Sequence, residues 1–245
     1  MNKAFLILLS ALTAFTSTNA QLLVGAWDFQ TTTTGGTATS GAPSTPKVYV
    51  ANFGSGTLYL DGSNGSSNWL NTSSNNELTS FSGLGSSLNT ALPGGGSLST
   101  STTGFSSLAF VSGADLGGGV FAANGKKAVF RFSMTGMSDL NISYDIQRNL
   151  YGAGTQTWDY STDGTNWFSI GSSNSTTTLA TRTLSTVTGL NNAADAYVRV
   201  TFTGFFSGGN TRMDNVQLQA VPEPSALSLL AVGLGGLALL RRRRS

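Results

Sequence analysis

Residues Trp158–Trp167, WDYSTDGTNW, decide how the rest of the chain is read. Thr155–Ser161 is rich in aromatic and β-branched residues, Thr162–Asn166 carries an Asp-Gly pair, and Trp167–Ile170 resumes the apolar character. That order predicts a β-hairpin closed at Asp163-Gly164. The same strand-like pattern extends outward on both sides. In Ala128–Met134, Val129, Arg131 and Ser133 alternate with Phe130, Phe132 and Met134, the period of a half-buried strand. Leu140, Ile142, Tyr144 and Ile146 share one face of the next run, and Val198, Val200 and Phe202 one face of Ala196–Phe202. Met213–Ala220 places Val216, Leu218 and Ala220 inward.

Toward the N-terminus, Leu22–Phe29 reads as a strand, and Lys47–Phe53 and Thr57–Leu60 flank Gly54-Ser55-Gly56 as a second hairpin. Between residues 61 and 104 the composition turns to Ser, Asn and Gly. This stretch predicts long surface loops around one or two weak strands, since a fully structureless run of that length is uncommon. A further strand follows at Ser106–Val111, and no long amphipathic helix is visible between the chain ends. Short strands every 8–12 residues or so predict an all-β protein, a single jelly-roll-like β-sandwich over residues 21–220.

The two ends read as addresses. Residues 1–20 combine a basic start at Lys3, an apolar run and small residues ahead of a junction between Ala20 and Gln21, the pattern of a secretory signal peptide. Residues 221–245 open with Val221-Pro222-Glu223-Pro224, continue through an apolar stretch from Ala226 to Leu240 and close with Arg241, Arg242, Arg243 and Arg244. The prolines cannot occupy a helix interior, so a helix would begin near Ser225. At 1.5 Å per residue it would be about 22 Å long, short of a hydrocarbon core of about 30 Å. The arginines form a cytoplasmic membrane stop.

This ending resembles the PEP-CTERM sorting signal of Gram-negative bacteria. The resemblance implies recognition by an exosortase near Pro222-Glu223-Pro224, after signal peptidase has cut between Ala20 and Gln21. The chain would pause in the inner membrane with its C-terminus cytoplasmic, lose its tail and pass to the cell surface or extracellular matrix. The alternative is a membrane anchor that is never processed. With no cysteine and no Leu-Pro-x-Thr-Gly motif, neither a lipoprotein nor a Gram-positive sortase route is suggested. The hairpin Tyr160-Ser161-Thr162-Asp163-Gly164-Thr165-Asn166-Trp167 and the closing Arg212-Met213-Asp214-Asn215-Val216 are similar to segments of bacterial surface sandwiches and carbohydrate-binding-like modules. In those folds the closing strand can supply oxygen ligands to a structural calcium, which implies Asp214, with Asp28 from the start of the domain, as metal-ligand candidates. The alternative for Asp214 is pairing with Arg212 or Arg199, or capping a turn.

The formal charge of +2 misleads about the body. With Lys3, Glu223 and Arg241–Arg244 set aside, the 13 basic and 11 acidic residues become 8 and 10. A net −2 with no basic cluster argues against a nucleic-acid partner. The absence of histidine and cysteine rules out Ser-His-Asp and Cys-His catalysis and the usual zinc sites, and leaves no disulfides. Asp159, Ser161 and Asp163 begin like an EF-hand loop, but Ile170 stands where its closing Glu would be, so a side-chain-capped turn is the better reading.

The leading functional expectation is a non-catalytic structural or adhesive sandwich displayed at the surface or in an exopolysaccharide matrix, with no cofactor beyond the candidate calcium. A second is a glycan-binding module. Its stacking candidates are Trp69, Trp158 and Trp167, from a pool that includes Trp27, Tyr151 and Tyr160, and Trp69 stands out for its polar surroundings. A third is a carboxylate-based glycosidase, which needs two acids about 5–10 Å apart in a cleft.

Overall fold

The computed structural model describes residues 20–29, 48–60, 69, 78–80, 86–100 and 107–223. The leader up to Asn19, Pro224, the C-terminal apolar segment and Arg241–Arg244 lie outside the described residues. Among the described residues the chain is all-β, with thirteen strands and no helix. They are β1 (Leu22–Trp27), β2 (Val48–Val50), β3 (Phe53–Gly54), β4 (Thr57–Leu60), β5 (Leu78–Ser80), β6 (Leu108–Val111) and β7 (Lys127–Phe132), then β8 (Met137–Arg148), β9 (Thr155–Ser161), β10 (Phe168–Asn174), β11 (Ala180–Thr183), β12 (Ala196–Thr203) and β13 (Asn210–Pro222).

Two antiparallel sheets form the sandwich. One has six strands in the order β10-β9-β12-β7-β4-β2. The other has seven: β11-β8-β13-β1-β3, with β6 also on β13 and β5 on β6. The inward faces follow the alternation in the sequence. Leu140, Ile142, Tyr144 and Ile146 of β8 meet Phe130, Val198, Val200 and Phe202 of the facing sheet, all fully buried. Without disulfides, this aromatic-rich layer is what holds the sheets together, at roughly 25 cal/mol per Å² of apolar surface withdrawn from water.

The hairpin at Asp163-Gly164 forms as read, with Gly164 at φ 71° and β9 paired to β10. The second hairpin forms between β2 and β4, but Phe53–Gly54 leaves it to pair with β1. Within residues 61–104 a short strand, β5, is present, as is a small turn closed by an Ala91–Ser97 bridge. β11 has no counterpart in the sequence reading.

β13 organises the seven-stranded sheet. β8 flanks it on one side along most of its length, while β6 and β1 share the other side. Its 13 residues reach roughly 40 Å from end to end at ~3.3 Å per residue. Asn210 marks one pole of the sandwich and Pro222 the other. Ala20 and Gln21 precede β1, outside any strand, and both are exposed. Leu22, the next residue, pairs with Ala220, so Gln21 lies beside the start of the sorting motif at the Pro222 pole. The signal peptide that Ala20 would close lies outside the described residues, and cleavage before Gln21 therefore stays an expectation of the sequence.

Candidate functional site

Two of the three tryptophans expected to stack on sugars cannot do so. Trp69 is fully buried among Phe110 and Phe202, with its indole N–H donating to Lys127 O at 2.7 Å. Trp158 is fully buried against Phe130 and Tyr144 and donates to the Tyr144 hydroxyl at 2.9 Å. Both rings are core, because strands remote in sequence close over them. Trp167 is half-buried on the outer face of the six-stranded sheet. The Arg199 guanidinium lies 4.1 Å from its centroid and is held in turn by Asp159 at 2.9 Å. Asp214 therefore does not pair with Arg199.

Asp28 and Asp214 are both buried and close enough, with Asp145, for their charges to interact. Hydrogen-bond donors reach all three carboxylates. Asp214 accepts the Ser86 backbone N–H at 2.7 Å on one oxygen and the Asn215 N–H at 2.8 Å on the other. Asp28 accepts Ser99 N–H at 3.4 Å, and Asp145 accepts the Thr181 hydroxyl at 2.6 Å. Each bonded oxygen of Asp214 keeps a second lone pair, and the buried Asn215 Oδ1 next in the chain accepts no hydrogen bond. Among the described residues no group of three His, Cys, Asp or Glu is disposed to hold a metal. Burial pushes the Asp214 carboxyl up to about 8 and raises Asp145 as well, which favours neutral acids here.

The Asp-Asn pair clamps a loop. Asn215 takes φ 45°, the left-handed region Asn tolerates, and sits in a bulge that turns both Asp214 and Asn215 away from the core. The Asn215 amide donates to Ser86 O and Leu88 O, and Asn89 donates back to Asn215 O at 2.8 Å. These bonds seal Asp145 and Asp214 beneath the loop at Ser86–Asn89, and neither acid lines a groove at the Asn210 pole.

That pole carries the open site. Three loops meet there, between β8 and β9, between β12 and β13, and between β6 and β7. Asn149 ties two of them together: its side chain accepts the Tyr151 and Asn210 N–H groups and donates to Gly208 O at 2.8 Å. Phe206 N–H donates to Tyr151 O at 2.8 Å. Close approach requires glycine at 152, where a Cβ would lie 2.1 Å from Asn210 O. Phe205 points into the core, while Phe206 (58% exposed) and Tyr151 (50% exposed) stand in solvent beside Leu150. With Phe121 and Ser207 they line a groove of ≈ 780 Å³. Through Leu150 it continues into a second, of ≈ 370 Å³, lined by Gln147, Arg148, Asn149, Thr177, Asn210 and Arg212. The Arg148 guanidinium there donates to the Ser175, Asn149 and Leu150 carbonyls. Of these residues only Tyr151 belonged to the sequence pool. Phe206 was missed, although two adjacent aromatics in the Gly-flanked run Gly204-Phe205-Phe206-Ser207-Gly208 signal one ring in and one out.

Comparison with known proteins places a PEP-CTERM protein-sorting motif at residues 220–244. No curated protein matches the chain. Among solved structures it overlaps the xylan-binding module CBM15 at 17% identity, covering 48% of this chain and 79% of that one, TM-score 0.36. It overlaps the carbohydrate-binding module CBM36 in complex with calcium and xylotriose at 19% identity (46% and 81% covered, TM-score 0.33). The K3 cleaved adhesin domain of Lys-gingipain from Porphyromonas gingivalis w83 overlaps at 15% identity (52% and 81% covered, TM-score 0.34). The chain thus carries a PEP-CTERM sorting motif on a β-sandwich, and that motif directs it through the membrane to the cell surface.

Proposed function

We propose that this is a non-catalytic adhesive protein that binds polysaccharide through the groove at the Asn210 pole. An exosortase would cleave it near Pro222-Glu223-Pro224 after signal peptidase has cut between Ala20 and Gln21. The observation that carries the binding role is the pair of solvent-standing rings, Tyr151 and Phe206, on loops fixed by Asn149 hydrogen bonds. A sugar ring presents C–H faces to an aromatic ring, and such contact withdraws apolar surface from water without a deep cavity. Pre-ordered loops keep the entropic cost of binding low. Asn149, Asn210, Gln147 and Thr177 supply hydrogen-bonding groups along the contiguous limb. Arg148 and Arg212 in the same limb favour a polysaccharide bearing acidic sugars.

Calorimetric titration of the exported protein with neutral and uronate-containing polysaccharides tests this. The acidic polymer is expected to bind more tightly, the preference weakening with salt. Tyr151→Ala and Phe206→Ala are each expected to weaken binding at least tenfold, while Trp167→Ala leaves it unchanged. Binding that Tyr151→Ala and Phe206→Ala do not affect would refute the assignment of the groove.

A further inference from the structure

The sorting motif starts inside the sheet. Val221 pairs with Ser138 and Pro222 with Met137 at the end of β13, and the Glu223 N–H donates to Gly136 O at 2.9 Å. The Ser138 hydroxyl adds a 3.4 Å bond to Val221 O. The receiving strand is itself pinned. Gly136 N–H donates to Asn192 Oδ1 at 2.9 Å, Asn192 N–H to Met137 O at 2.8 Å, and Asp139 N–H to Asn191 Oδ1 at 2.9 Å. No linker separates the folded sandwich from Pro222-Glu223.

Proteases bind the residues flanking the scissile bond as an extended segment, by main-chain hydrogen bonds. Here those main-chain groups on the N-terminal side of the motif already bond to Gly136–Ser138. We propose that this last rung of β13 is a latch on processing: Val221–Glu223 must unpair from Gly136–Ser138 before the chain can be cut near Pro222-Glu223-Pro224. Asn192 is a positioning residue for the latch. Cleavage from a transiently opened state tracks the population of that state, so the stability of one rung sets the processing rate. The latch holds a newly exported chain at the membrane until it opens. It rests on the reading of Pro222-Glu223-Pro224 as a processing site.

Pulse–chase in the producing bacterium, read by the intact mass of the chain, tests it. Three variants leave Pro222-Glu223-Pro224 intact. A six-residue Gly-Ser insertion between Ala220 and Val221 frees the motif and is expected to speed processing. Asn192→Gly keeps the left-handed backbone position and removes only the Oδ1 acceptor. It is expected to speed processing about fivefold, the equivalent of one net hydrogen bond. Ser138→Cys with Val221→Cys, in a chain with no other cysteine, locks the rung when oxidised. Processing is expected to fall at least tenfold and to recover when reductant is added to the same variant. Equal rates for wild type, insertion and oxidised pair would overturn the latch while leaving the processing site standing. A wild-type chain that keeps its tail throughout would overturn both.

Discussion

The buried pair Asp145 and Asp214 makes a quantitative prediction about pH. Asp214 is 2% exposed, and burial raises its carboxyl from 3.8 to about 8, so solvent screening does not discount the shift. Between those values the native state holds a proton that the unfolded chain releases. The stability this group contributes is fully present below about pH 4 and is lost as pH rises through about 8. The slope is about −1.4 kcal/mol per pH unit for one proton. From pH 5 to pH 7.5 that amounts to about 3 kcal/mol, or a fall in melting temperature of roughly 6–12 °C for a domain of this size. Asp145, also raised by burial, acts in the same direction. Thermal melts of the exported protein, with and without a chelator, measure it. Asp214→Asn is expected to lose roughly 1 kcal/mol, because its amide cannot accept both N–H groups. It should also flatten most of the slope. A wild-type melting temperature that is flat or rising from pH 5 to 7.5 in chelator would refute the reasoning, and so would a calcium-dependent rise in stability at pH 7.5.

Three substitutions separate core from site. Trp69→Ala, which empties a fully buried position against Phe110 and Phe202, is expected to cost about 3–5 kcal/mol in denaturant melts. Tyr151→Ala is expected to stay within about 0.5 kcal/mol of wild type while losing polysaccharide binding. Gly152→Ala forces a methyl to 2.1 Å from Asn210 O, so it should displace the Asn149-centred loops and weaken binding without touching a groove side chain. Calorimetry and a melt on one sample read both effects.

What the sequence revealed depended on whether the cause was local. The faces of β7, β8 and β12 were legible because a strand's period of two is written in consecutive residues. The Asp163-Gly164 turn was legible for the same reason. Asp214-Asn215 was recognised as a feature, but its hold on the Ser86–Asn89 loop was not foreseen. The bulge at Asn215 and the loop it holds, more than 120 residues earlier, exist only once the sheet has formed. Trp69 looked like a surface ring because its sequence neighbours are polar. Its burial comes from Phe110 and Phe202, which arrive from elsewhere. β11 is short and mostly polar, exposed on alternate residues, and only its pairing with β8 makes it a strand.

The length of β13 has an electrostatic consequence. The groove's arginines, Arg212 on β13 and Arg148 opposite Thr211, stand roughly 33–36 Å along the strand from the pole where Gln21 and the sorting motif lie. At physiological ionic strength the Debye length is about 8 Å, so that separation spans roughly four screening lengths. The negative potential of a bilayer decays to almost nothing over such a distance. Under the proposed function, Arg148 and Arg212 would therefore meet an acidic polymer at the same local ion concentration before and after the tail is removed. On the proposed function, a chain still held in the membrane would grip the matrix as firmly as one already released.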